Sequence, residues 1–309
     1  MKTVSFGSTT APALIAGMMR IDSLDDEQIR GLYATARNAG IDFFDHADIY
    51  GGRMHHCEAR FADALRLSTT ERDEIVLQTK CGIVPAQGMF DFSYDHIVGQ
   101  VEGSLAALRT DRIDVLLLHR PDALVEPDEV ARAFDHLESS GKVRAFGVSN
   151  HTPSQIELLK TAVRQPLVAN QLQLSLTHAP IIAQPVAANM AGHDQSIGRD
   201  GGGIVDYCRI HGITVQAWSP YQSGFGGGVF LGHPDYPELN AVIERLAGVH
   251  GVTPTAIATA WITRHPAGMQ VVLGTTTPHR VQEAAAGVDV VLTRPEWYEL
   301  FRAAGHLLP

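Results

Sequence analysis

VRAFGVSNHTPSQIELLKTAVRQPLVANQLQ, residues 143–173, reads as one strand, one helix and a second strand. VRAFGV (143–148) and LVANQL (167–172) are short apolar runs, the pattern of strands buried on both faces. TPSQIELLKTAV (152–163) has helical patterning, with Thr152 as the expected N-cap and Pro153 at the tolerated first-turn position. A helix that joins two strands in this way makes them parallel neighbours. The same unit recurs on either side. Upstream lie LIAGM (14–18), IDFFD (41–45), EIVLQT (74–79) and IDVLLL (113–118); downstream lie ITVQAW (213–218) and MQVVLG (269–274).

Helical patterns fill the gaps. In DEQIRGLYATARNAG (26–40), Ile29, Leu32 and Ala36 recur at helical spacing and Gly40 closes the helix. HIVGQVEGSLAALR, PDEVARAFDHLESSG and PHRVQEAAAG are similar, with Asp95 expected as an N-cap and Pro127 and Pro278 as first-turn prolines. Eight strands, each followed by a helix, predict a single closed (β/α)8 TIM barrel over residues 1–309. A doubly wound sheet is the weaker alternative, because no GxGxxG follows the first strand. Two connections are long and Gly-rich: about 175–203, and SPYQSGFGGGVFLGHPDY after the seventh strand. Loops of that length are functional or mobile as a rule. The triple glycines at 201–203 and 226–228 lack phosphate-loop spacing and read as flexible tips.

Composition narrows the function. The chain is 45% hydrophobic and 19% charged, ordinary globular values, and its formal charge is -10. That charge disfavours nucleic acid and anionic membrane surfaces as partners, and an anionic ligand would need a local positive pocket. The opening MKTVSFGSTTAPALIAGMMR has no apolar stretch of signal-peptide length, and no segment reaches membrane-spanning length, so the expected location is the cytoplasm. Cys57, Cys81 and Cys208 are odd in number and lack CxxC spacing, which favours reduced thiols. Cys81 follows Lys80, a cation that can favour thiolate; otherwise it is a small buried residue.

In such a barrel the active site is built at the C-terminal ends of the strands. Taken in order, those ends carry Asp45 with Asp48 and Tyr50, then Lys80, then His119, Arg120 and Asp122. Ser149 and Asn150, Gln171, Trp218 and Ser219, and Thr275, Thr276 and Arg280 follow. A phenol has a pKa of about 10, too high for easy proton exchange at neutral pH. An ammonium beside it would lower that value, so Lys80 is expected to tune Tyr50, with Asp45 holding the lysine. His119 would orient a carbonyl oxygen. Such a site protonates oxygen as hydride reaches carbon.

DHADIYGG (45–52), Lys80 of LQTKCG, His119 of LLLHRPD, GVSN (147–150) and NQLQ (170–173) resemble the aldo-keto reductase family, in order and along essentially the whole chain. HADIYGG, LLLHRPD and LGTTTPHR are especially similar to the bacterial YdhF-like branch. The resemblance implies an NADPH-dependent oxidoreductase that interconverts an aldehyde or ketone and an alcohol. It implies a catalytic tetrad of Asp45, Tyr50, Lys80 and His119, with Tyr50 as general acid. Ser149, Asn150 and Gln171 would hold the nicotinamide carboxamide, and Trp218 would stack on its ring. Ser219, Pro220, Gln222 and Gly224 would run along the pyrophosphate. Gly274, Thr275, Thr276, Thr277, Arg280 and Glu283 would surround the adenosine phosphate at a helix start. Many relatives have a lysine near Gly274 and an asparagine near Ala284, both missing here; Arg280 still favours NADPH over NADH.

Met19, His55, Tyr221 and Phe225 are the expected substrate wall. Gly17, Met18 and Arg20 should border the site. His46, His55, His56 and Cys57 invite a metal reading, but with no HxH or HExxH pattern no metal site is expected. Taken singly, Asp45 and Lys80 would pass for a structural ion pair and Tyr50 for a packing residue; their joint placement favours catalysis. The partner is a small-molecule carbonyl compound, and the protein a monomer or weak homo-oligomer. The alternative is a non-catalytic nicotinamide-binding redox sensor or interaction protein, with a metal-dependent hydrolase third.

Overall fold

The eight apolar runs become eight strands in a computed structural model that describes residues 1–198 and 201–309. They are β1 (Leu14–Gly17), β2 (Phe43–Asp45), β3 (Val76–Cys81), β4 (Ile113–Leu118), β5 (Val143–Ser149), β6 (Leu167–Gln173), β7 (Thr214–Trp218) and β8 (Gln270–Leu273). Every neighbouring pair is parallel and the sheet closes, with Leu14 of β1 opposite Val271 of β8. β3 runs two residues further than the sequence suggested and β5 one, so Lys80 and Ser149 sit within strand ends rather than after them.

Alternation along each strand divides the core. Ile15, Phe43, Val115, Leu117, Ala169 and Val272 pack in a cluster inside the barrel, whereas Leu14, Phe44, Leu116 and Leu118 join the layer beneath the helices. An N-terminal hairpin absent from the sequence reading, Thr3–Phe6 paired with Thr9–Pro12, closes the floor. Phe6 meets Phe43 edge-on at 5.5 Å, and the Thr214 hydroxyl donates to the Ser5 carbonyl at 2.8 Å. With the floor plugged, the barrel opens at the C-terminal ends of its strands.

Helix starts follow the local chemistry. Thr152 caps Pro153–Leu159 in a reciprocal bond pair with Gln155, as expected. The helix Tyr94–Leu108 is capped by Ser93, not Asp95; the serine Oγ accepts from the His96 amide at 3.3 Å. Asp95 lies inside the first turn, where a carboxylate favours the positive helix end. The connection around 175–203 holds a short helix, Pro180–Val186, and with His306 near the C-terminus its Gln184 and Gln195 line a cavity of about 310 Å³; positions 199–200 within it lie outside the described residues. Among the described residues no helix is long and apolar enough to cross a membrane.

Candidate active site

Adjacent strands bring the acid and the base together. Asp45 ends β2 and Lys80 nearly ends β3, and both are buried. The Lys80 Nζ donates to Asp45 Oδ1 at 2.8 Å and Oδ2 at 2.7 Å, to the His46 carbonyl at 2.7 Å, and to the Tyr50 hydroxyl at 3.1 Å. Tyr50 reaches this point from the turn after β2. Gly51 follows it at φ +89°, and a Cβ there would lie 3.0 Å from the Cys57 Sγ, so glycine is required for the turn to close. His119, directly after β4, meets the Tyr50 ring edge-on with centroids 6.0 Å apart.

The electrostatics correct one expectation. Burial pushes the Tyr50 phenol above its ordinary range, and the Lys80 ammonium offsets only part of that, opposed by Asp45. Tyr50 therefore holds its proton at neutral pH. Burial also disfavours the Lys80 ammonium, but Asp45 and Tyr50 outweigh it and hold the lysine above its usual value. Burial, reinforced by Lys80 and Arg120, drives the His119 imidazole well below its usual value, so the ring is neutral. Its Nδ1 is buried without a hydrogen-bond partner among the described residues, which leaves the ring's polar contact with the cleft to Nε2. Burial raises the Cys81 thiol far above its normal range, so the neighbouring lysine does not make a thiolate of it.

Beneath the tetrad lies a lattice of buried amides. Gln78 Nε2 donates to Asp45 Oδ1 at 2.6 Å and to Gln216 Oε1 at 2.9 Å, while Gln171 Nε2 donates to the same two oxygens at 3.1 Å each. Gln216 Nε2 donates to Gln78 Oε1 and Gln270 Oε1, both at 3.1 Å, and Gln270 Nε2 reaches the Pro12 carbonyl at 2.7 Å. Asp45 is thus pinned from below as well as by Lys80. Gln78, Gln216 and Gln270 escaped the sequence reading; the available signal was one glutamine within each of three strand runs.

A cleft of about 880 Å³ opens above these groups. Of the expected residues it is lined by Asp45, Tyr50, His119, Ser149, Asn150, Gln171, Trp218, Ser219, Pro220 and Gln222. Gly274, Thr275, Thr276, Thr277, Arg280, Met19, Tyr221 and Phe225 complete that set, and Gly17 and Arg20 border it. Asn150 is in the left-handed region at φ +61° and held in place by its neighbours: its Nδ2 donates to Ser149 Oγ at 2.8 Å and its Oδ1 accepts from Trp218 Nε1 at 3.2 Å. The Ser149 Oγ in turn donates to the Gln171 carbonyl at 2.9 Å. Ser219 Oγ donates to Gln222 Oε1 at 2.5 Å. Ile49, Ile83, Val229, Leu231 and Thr255 also line the cleft, unforeseen from sequence.

Other expected residues fall elsewhere. His55 is not in the substrate wall: it contacts Glu58 through Nδ1 at 2.7 Å and packs so tightly on Gly103 that a Cβ there would be 2.3 Å away. Glu283 is set back behind Thr255, whose hydroxyl donates to it at 3.0 Å, and Gly224 does not line the cleft. Asp48 is buried below the turn, and Asp122 accepts from the Phe92 and Leu124 amides.

The open end of this parallel barrel holds a lysine–carboxylate pair on a tyrosine hydroxyl, and the chain belongs to the Aldo/keto reductase family, whose profile matches residues 13–303. It is 36% identical over 304 residues to the 6-dehydroglucose reductase of Agrobacterium fabrum, spanning 94% of this chain and 93% of that protein. It is 35% identical over 276 residues to oxidoreductase YdhF of Escherichia coli, spanning 86% of this chain and 83% of that one. The thermostable aldo-keto reductase Tm1743 superposes with a TM-score of 0.77 at 20% identity over 98% of this chain and all of its own (100%), a likeness of fold. The chain is an oxidoreductase of this family.

Proposed function

We propose that the protein is an NADP(H)-dependent carbonyl reductase that converts an aldehyde or ketone to an alcohol, or the reverse, with Tyr50 as general acid and base. The observation that carries this reading is the single Lys80 Nζ shared between both Asp45 oxygens and the Tyr50 hydroxyl, beside a neutral His119. The name of the Agrobacterium relative, 6-dehydroglucose reductase, is in keeping with it.

The donor set along the cleft suits a nicotinamide dinucleotide. Ser149, Asn150 and Gln171 offer polar atoms beside Trp218 at the tetrad end. At the other end the Thr277 side chain makes no capping bond to the helix Pro278–Gly287, and Arg280 is exposed with no salt bridge among the described residues. Both would serve a phosphate, and Arg280 would distinguish the 2′-phosphate of NADPH. When bound, the cofactor supplies or accepts the hydride at the substrate carbon. The protein's part is the proton. Tyr50, protonated through neutral pH, donates to the carbonyl oxygen as charge builds there, and Lys80 stabilises the resulting phenolate until solvent reprotonates it. His119 polarises the same oxygen without carrying charge. Three buried free cysteines suit a reducing compartment, which we take to be the cytoplasm.

The test is loss of NADPH absorbance with a panel of aldehydes and ketones, wild type beside Tyr50→Phe. Turnover should fall by roughly 10²–10⁴ while cofactor binding persists. Wild-type rates in the variant would remove Tyr50 from the reaction, and tight NADPH binding with no turnover on any carbonyl would favour the sensor.

A further inference from the structure

Of the strand-end residues that neither the tetrad nor the cofactor positions absorb, Asp48, Arg120 and Asp122, Arg120 is the one that lines the cleft. It follows His119 at the end of β4 and lines the cleft half-buried. Its guanidinium stands 5.7 Å from the centre of the Trp218 ring, and among the described residues it forms no salt bridge and no hydrogen bond. Other buried or half-buried arginines here are held differently: Arg72 pairs with Asp114 at 2.7 Å and Arg60 with Asp26 at 2.7 Å. The acid nearest in sequence, Asp122, is occupied by two backbone amides. The carboxylate that lines the cleft, Asp45, already holds Lys80. A half-buried guanidinium in an open cleft with no protein acceptor among the described residues keeps its N–H groups available to an acceptor that a ligand brings.

Position in the ring places Arg120 relative to the rest of the cleft. Eight strands close the barrel in chain order, so β4, which ends beside Arg120, lies diametrically across from β8, which leads to Thr275–Arg280. Arg20 is on the β8 side, donating to the Gly274 carbonyl at 2.7 Å. Arg120 is therefore rooted across the mouth from the phosphate donors, directly after His119, and its guanidinium reaches over Trp218 at the end of β7 and close enough to Tyr50 for the two to interact electrostatically. A guanidinium above an indole, with no acceptor among the described residues, can offer its N–H groups to a fork-shaped acceptor.

We infer that Arg120 is a specificity-determining residue that binds a carboxylate on the carbonyl substrate, so that the preferred substrates are oxo acids rather than neutral carbonyl compounds. The inference rests on the carbonyl-reductase reading for its substrate, though not for its binding site. It also explains how a chain of formal charge -10 accommodates an anion, since Arg20, Arg120 and Arg280 all line the cleft.

Two pairs of aldehydes of matched size provide the test: succinic semialdehyde against butanal, and 4-carboxybenzaldehyde against 4-methylbenzaldehyde. The ratio of kcat/KM, charged over neutral, should fall by roughly 10- to 100-fold in Arg120→Gln for at least one pair, with Arg120→Lys between the two because it keeps charge and loses the fork. Calorimetry with the unreactive 4-methylbenzoate reads the site without turnover, and its affinity should drop by the same order in Arg120→Gln. Unchanged ratios in both pairs, a wild-type preference for the neutral aldehydes, or a loss confined to NADPH affinity would overturn the inference. If 4-methylbenzoate binding depends on Arg120 but no aldehyde is reduced, the anion site stands and the reductase reading fails.

Discussion

Replacing Lys80 by methionine keeps the volume of the side-chain stem and deletes the charge at the centre of the site. Asp45 is 2% exposed and Lys80 fully buried, and among the described residues Asp45 Oδ2 has no donor other than Lys80. The substitution strands a buried carboxylate, a change that costs about 3–5 kcal/mol when one partner of a buried pair is removed. It also frees the His46 carbonyl and the Tyr50 hydroxyl, each previously bonded to the same Nζ. Adding Asp45→Asn removes the stranded charge. The double variant should recover most of the loss and stay about 1–2 kcal/mol below wild type, the cost of the carbonyl left without a donor. Guanidinium unfolding at pH 7, with slopes compared to confirm that midpoints report stability, measures both quantities. Turnover should be lost in the single and the double variant alike, because neither supports a Tyr50 phenolate. A single variant within about 1 kcal/mol of wild type, or a double variant no more stable than the single, would refute the account of the pair as a mutually dependent buried ion pair.

Two further outcomes follow from the same geometry. Arg280→Ala should weaken NADPH by roughly tenfold or more and NADH by far less in fluorescence titration, since only the former loses a charged contact; equal weakening of both would refute the phosphate assignment. Asp48→Asn should stabilise the protein at pH 8. Burial, then the nearby Glu58, lifts the Asp48 carboxyl from 3.8 to about 7, so its favourable contribution is complete below pH 3.8 and is lost as pH rises through about 7. The gain is at most about 4 kcal/mol at pH 8 and shrinks toward pH 4, read as melting temperature against pH; a pH-independent difference would contradict it.

How far the sequence discloses this structure depends on how local each signal is. The barrel was legible because a strand buried on both faces writes itself as an apolar run, and eight such runs alternating with helices admit few topologies. The meeting of Asp45, Tyr50, Lys80 and His119 was legible because all four fall at strand ends once the strands are placed. The hairpin over residues 3–12 was not, since strands of four residues carry too little periodicity and its packing partner, Phe43, lies far along the chain. His55 was misplaced because its backbone turns into the left-handed region at φ +58° and Glu58 and Gly103 receive the ring, contacts no local pattern announces. The upward shift of Tyr50 was equally hidden: a neighbouring lysine can be read from sequence, but the depth of burial that outweighs it cannot. Ser93 displaced Asp95 as a cap by two positions, within the usual uncertainty of a helix start.

The amides of Gln78, Gln171, Gln216 and Gln270 have a direction as well as a position. At the floor the Pro12 carbonyl can only accept, so Gln270 must turn its nitrogen toward it and its oxygen toward Gln216. Gln216 must answer that oxygen with its own nitrogen, which leaves its oxygen to receive the nitrogens of Gln78 and Gln171. The carboxylate of Asp45, an acceptor at the far end, demands the same sense. With both termini obliged to accept, no amide can rotate alone without setting nitrogen against nitrogen or oxygen against oxygen. Gln171 therefore presents its oxygen to the mouth of the barrel, and the polarity a ligand meets there is dictated by a proline carbonyl at the opposite end of the molecule.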